Sequence, residues 1–157
     1  MEATLKGREG RVESVLDDLR TLVGEDHVSA GPGAASPFLR DGDEAPGLVV
    51  VRPGSTEDVQ EIVNRVREKG VSVLTRNDRY LLPEDLDRNA VLLDFSRMNR
   101  IERIDTLNLV AHVERGVTWD ALNAELERLG VKAVAPVAAN SLSVAECVSA
   151  RVVPPAP

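Results

Sequence analysis

The sequence predicts an α/β (α+β) fold, a small parallel βαβ-based sheet flanked by helices. Three observations predict it. Leu48-Val49-Val50-Val51 is a continuous apolar run ended by Pro53-Gly54, the signature of a strand buried on both faces. Val59, Ile62, Val63 and Val66 then recur at helical spacing between Ser55, an N-cap with Asp58 three residues on, and Gly70, which closes the helix. Residues 71–75 return as a second strand, so that strand, helix and strand make a right-handed parallel crossover.

The flanking elements follow in order. Over residues 8–23, Val12, Val15, Leu16, Leu19 and Leu22 fall at three- and four-residue steps, an amphipathic helix with Gly24 placed to end it. Residues 29–47 hold Gly31, Pro32, Gly33, Pro37, Gly42, Pro46 and Gly47 with little periodicity, a crossing loop that contains Phe38 and Arg40-Asp41. Residues 90–95 give another strand, and Leu107, Leu109, Ala111 and Val113 alternate with polar neighbours as a half-buried strand does. Gly116 turns the chain. Thr118 caps a helix with the inner face Leu122, Leu126 and Leu129, stopped by Gly130, and a short apolar piece follows at 133–137. Ser143-Val144-Ala145-Glu146 has the capping-box pattern and opens a short helix through Val148. The chain then runs out in Val152-Val153-Pro154-Pro155-Ala156-Pro157, read as extended.

The organisation expected is a helix and crossing loop over 1–47, an incomplete α/β domain over 48–153 and a Pro-rich tail over 154–157. Its core is expected to draw on Val49, Val51, Val59, Ile62, Val63, Val66, Val73, Leu92, Leu109, Val113, Leu122 and Leu126.

Composition narrows the function. A net charge of −7 repels phosphate backbones and anionic lipid heads, which argues against nucleic acid and membrane as partners. Aromatic residues are few (Phe38, Tyr80, Phe95 and Trp119), too few for a platform on which bases stack. The N-terminal residues carry no apolar run of the signal-peptide kind, so a cytoplasmic protein is expected. A lone Cys147 excludes an internal disulfide and reads as a small buried apolar residue, and His27 and His112 have no partner at ligand spacing, so no metal site is predicted.

Two long stretches go beyond a generic domain: "LVVVRPGSTEDVQEIVNRVREKGVSVLTR" and "VLLDFSRMNRIERIDTLNLVAHVERGVTWDALNAELERLG". They resemble the first half of the FAD-binding domain of the vanillyl-alcohol oxidase superfamily, the PCMH type. Within it they are most similar to the FAD-linked subunits of glycolate and D-lactate dehydrogenases. The most specific part is Asp94-Phe95-Ser96-Arg97-Met98-Asn99-Arg100-Ile101 followed by Gly116-Val117-Thr118. The resemblance implies the first subdomain of that fold and FAD as the cofactor, with its pyrophosphate against two loops.

One loop is a glycine-rich turn after the strand that 71–75 matches. Glycine is needed there because only a backbone without Cβ brings several N–H groups to the phosphates. The matching positions here are Arg76, Asn77, Asp78, Arg79 and Tyr80, with no glycine before Leu82. Asp78 would set a negative charge beside the phosphates, a repulsion of about 4 kcal/mol at 4 Å and an effective dielectric near 20, offset in part by Arg76 and Arg79. The second loop precedes a helix and shows Thr-Val-Gly-Gly or a variant. Ser143, Val144 and Ala145 take its place, and Glu146 stands for a glycine.

Both loops therefore depart from the family in the direction of weak or absent flavin binding, and no catalytic residue is carried over. An accessory, non-catalytic component of a 2-hydroxy-acid dehydrogenase system is expected, with another subunit or a second copy as partner. The alternative is a genuine FAD module completed by another chain. Trp119, in the first turn of its helix, is read as a packing residue, and Arg97, Arg100 and Arg103 as a solvated mixed-charge surface with Glu102 and Asp105.

Overall fold

The computed structural model describes residues 2–31, 33–39, 45, 47–75, 90–134 and 142–149, and the chain divides into two units, Met1–Asp94 and Phe95–Pro157. The first unit runs α1 (Glu2–Val23), β1 (Val28–Ser29), β2 (Val49–Val51), α2 (Thr56–Glu68), β3 (Ser72–Thr75) and β4 (Ala90–Leu93). Its sheet has the order β1-β2-β4-β3, with β1 antiparallel to β2 and the other three strands parallel. The crossover read from the sequence is present, and it spans β4, which lies between its two strands in the register Val50 to Leu92 and Leu74 to Leu92.

The reason for each element is local. α2 starts where Asp58 N–H, an orphan donor of the first turn, donates to Ser55 Oγ at 3.0 Å, and the Asp58 carboxylate reaches back past the cap to accept from Gly54 N–H at 2.8 Å. α1 ends at Gly24, which takes φ 94° and donates its N–H to Arg20 O at 2.9 Å. Every residue of β2 and β4 is buried, as strands covered on both faces require. Val50, Ala90 and Leu92 pack with Phe38, Leu39 and Leu48 on one face. Alternation sends Val49, Val51, Val91 and Leu93 to the other, which α1 and α2 cover with Val15, Leu19, Ile62 and Val66. The expected stripe of α2 is narrower than read, because Val63 is 38% exposed.

In the second unit, a 3-10 turn at Phe95–Arg97 leads into β5 (Ile101–Asp105), β6 (Val110–Val113), α3 (Trp119–Arg128) and α4 (Val144–Ser149). β5 and β6 form an antiparallel hairpin with a register shift between Ile101 and Arg103. Val117, Leu122 and Leu126 are its buried centre, with Ile101, Ile104, Ala111 and Val113 packed around them.

Two expectations change here. The alternation from Leu107 places a strand start three residues early, and Leu109, expected in the core, is 79% exposed. Asp105 decides this: its Oδ1 accepts from Leu107 N–H at 3.1 Å and Asn108 N–H at 3.0 Å, which bends the chain into a turn before pairing begins. The strand read over 90–95 also stops at Leu93, and its last read residue, Phe95, instead opens the 3-10 turn.

Gly116 explains the most specific part of the sequence resemblance. A Cβ there would collide with the carbonyl oxygen of Phe95 and come within 2.8 Å of Met98 O, while Gly116 N–H donates to Met98 O at 2.7 Å. The Phe95–Arg97 turn and the Gly116 turn are thus packed backbone to backbone.

Candidate functional site

Of the eight positions that match the family's phosphate loops, Arg76, Asn77, Asp78, Arg79 and Tyr80 lie outside the described residues. What leads to them is described. β3 ends at Thr75 on the carboxyl edge of the parallel strands, the edge at which open α/β sheets take ligands. On that edge Arg52 and Asp94, which directly follow β2 and β4, form an ion pair with Nε 3.1 Å from Oδ2. Arg52 Nη1 also donates to Ser29 Oγ at 3.2 Å. The sequence reading did not single out Arg52 or Ser29. The available signal was that Arg52 and Asp94 are each the first polar residue beyond an apolar strand, where adjacent parallel strands bring such residues together.

The other three positions are brought to a defined place. Thr118 and Ser143 form an antiparallel bridge, with Trp119 N–H donating to Leu142 O at 3.2 Å and Val144 N–H donating to Val117 O at 2.8 Å. The starts of α3 and α4 are therefore held side by side. Thr118 caps α3 by accepting from Ala121 N–H at 3.2 Å. Ser143 caps α4 in the reciprocal arrangement that the sequence predicts: Glu146 N–H donates to Ser143 Oγ at 3.1 Å, and Ser143 N–H donates to Glu146 Oε2 at 2.9 Å. Ser143 and Glu146 are both buried.

The hydrogen-bond accounting at α4 is nearly closed. Ser143 and Glu146 N–H go to the capping box, Val144 N–H to Val117, and Cys147 N–H to Ser143 O at 3.2 Å. The carboxylate of Glu146 lies against this helix start, where the helix dipole favours a negative charge.

The arginines after β4 do not gather into an anion site. Arg100 holds Glu114, with Nη2 at 2.7 Å and Nε at 3.0 Å from Oε1, while Arg100 N–H donates to Oε2 at 2.8 Å. The Arg100 guanidinium, with help from its backbone N–H, keeps the Glu114 carboxyl below the usual glutamate value. Arg103 donates to Asp105 Oδ2 at 3.0 Å. Asp105 is likewise held below its ordinary value, first by the Asn108 side chain and backbone and then by Arg103. Arg115 stacks over the Phe95 ring at 4.7 Å. Trp119 packs on the core as expected, and Cys147 is buried. Among the described residues, no group of three or more His, Cys, Asp or Glu side chains is placed to hold a metal, and no helix is long and apolar enough to cross a membrane.

Known proteins bear directly on this arrangement. The chain is 28% identical over 121 residues to the flavoprotein subunit of 4-cresol dehydrogenase (hydroxylating) from Pseudomonas putida, covering 71% of this chain and 23% of that protein. Among solved structures, 4-ethylphenol oxidase from Gulosibacter chungangensis in its isoeugenol complex matches with a TM-score of 0.63 and 28% identity, over 78% of this chain and 25% of that one. Substrate-bound p-cresol methylhydroxylase shares the fold with a TM-score of 0.67 at 24% identity, over the same shares. The chain spans about a quarter of the length of these relatives. The model of the FAD binding domain family matches residues 47–151, well over half of the sequence, and the chain belongs to that family.

Proposed function

We propose that this chain is an FAD-linked oxidase-like domain acting as an accessory, non-catalytic component of an FAD-dependent dehydrogenase system, with flavin binding weak or lost. The observation that carries this reading is that the N–H groups of Ser143, Val144, Glu146 and Cys147 at the start of α4 are all committed within the protein. A diphosphate needs several unpaired backbone donors converging on it. Here four are committed within the protein, and a buried carboxylate stands among them. These residues do not fit a diphosphate. The glycine-free stretch from Arg76 to Leu82, with Asp78 inside it, supports the same reading.

The 2-hydroxy-acid type of the system rests on the sequence resemblance to glycolate and D-lactate dehydrogenase subunits, strongest at Asp94–Ile101 and Gly116–Thr118. The partner is another subunit or a second copy. One observation favours a second reading, an FAD module completed by another chain: the segment covers only about a quarter of its relatives, so most of a flavin pocket would come from elsewhere.

Gel filtration of the chain after incubation with excess FAD tests the proposal. The expected result is a colourless protein, with a dissociation constant on the order of 100 µM or weaker by titration. Stoichiometric yellow flavin carried through the column would overturn it and restore Arg76 and Arg79 as phosphate ligands.

A further inference from the structure

We draw no further inference here: the strongest candidate, the exposed hairpin tip at Leu107 and Leu109 with the apolar groove between the hairpin and α3 of the second unit, carries nothing because the charges at its rim are already paired within the chain, Asp105 with Arg103 and Lys132 with Glu127, and nothing in the structure shows what covers it.

Discussion

The sheet of the first unit and the hairpin of the second are built from strands of similar length, yet they are held in different ways. In β2 and β4 every residue is buried, and Val50, Val51, Val91 and Leu92 are fully enclosed. Each such side chain contributes about 1.5 to 3 kcal/mol through removal of apolar surface from water. In β5 and β6 no residue is fully buried, and ion pairs stand within and beside the strands, Arg103 with Asp105 in β5 and Arg100 with Glu114 just outside β5 and β6. Solvent screens partly exposed pairs of this kind, so each contributes less than an enclosed apolar side chain does. An apolar run thus places stability in packing, which salt and pH hardly touch. An alternating charged sequence places more of it in directional contacts and in backbone fit, where one atom or one proton matters.

The largest expected effect tests the backbone fit of the second unit. Gly116→Ala puts a methyl group into the carbonyl oxygens of Phe95 and Met98, which belong to backbone and cannot swing aside. A loss above about 4 kcal/mol is expected, the range reserved for such named conflicts. Urea melts followed by Trp119 emission read this unit directly. An unchanged midpoint would contradict the close packing, and simultaneous loss of the first unit's helical signal would show that the two units are one cooperative block.

The next effect belongs to the first unit. Ile62, fully buried on α2, should cost about 2 to 5 kcal/mol on truncation to alanine, from lost burial and the cavity left behind. Circular dichroism melts measure it, and a change below about 1 kcal/mol would mean that the helix repacks over the sheet more freely than its burial indicates.

The smallest effect sharpens the contrast through pH. Glu114 ionises more readily folded than unfolded, so its stabilising contribution is complete above the ordinary glutamate value of 4.5. As pH falls below that value the unfolded chain takes up its proton first, and the contribution drains away until pH has passed the lower folded-state value. Glu114→Gln should flatten this part of the acid melt recorded at Trp119. If wild type and variant lose stability in parallel over roughly pH 5 to pH 3, the range in which glutamate titrates, the Arg100 contact is not what holds the hairpin.

What the sequence made legible around the candidate site was local. Ser143 and Glu146 are three residues apart, and the capping box they form is a property of that spacing. That the same turn has almost no donor left was not readable, because Val144 N–H is taken by Val117, distant in sequence. The Arg52 and Asp94 pair escaped for the same reason, since 42 residues separate its members. β5 escaped because Ile101-Glu102-Arg103-Ile104-Asp105 carries charge at three of five positions and reads as surface until its partner is known.

By itself, then, the sequence determined the elements whose causes lie within a few residues: the caps at Ser55, Thr118 and Ser143, the glycine stops, the buried run of β2 and the centres of the helical stripes, Ile62 and Val66 on α2 and Leu122 and Leu126 on α3, while Val63 and Leu129, read with them, are exposed. Tertiary structure alone decided which strand lies between β2 and β3, in what register β5 pairs with β6, and that Leu107 and Leu109 face water. The physical reason is that hydrogen bonds and side-chain spacing act over one turn of chain. Strand order and register depend instead on contacts between distant segments, whose cost in chain entropy is met only when the whole unit packs.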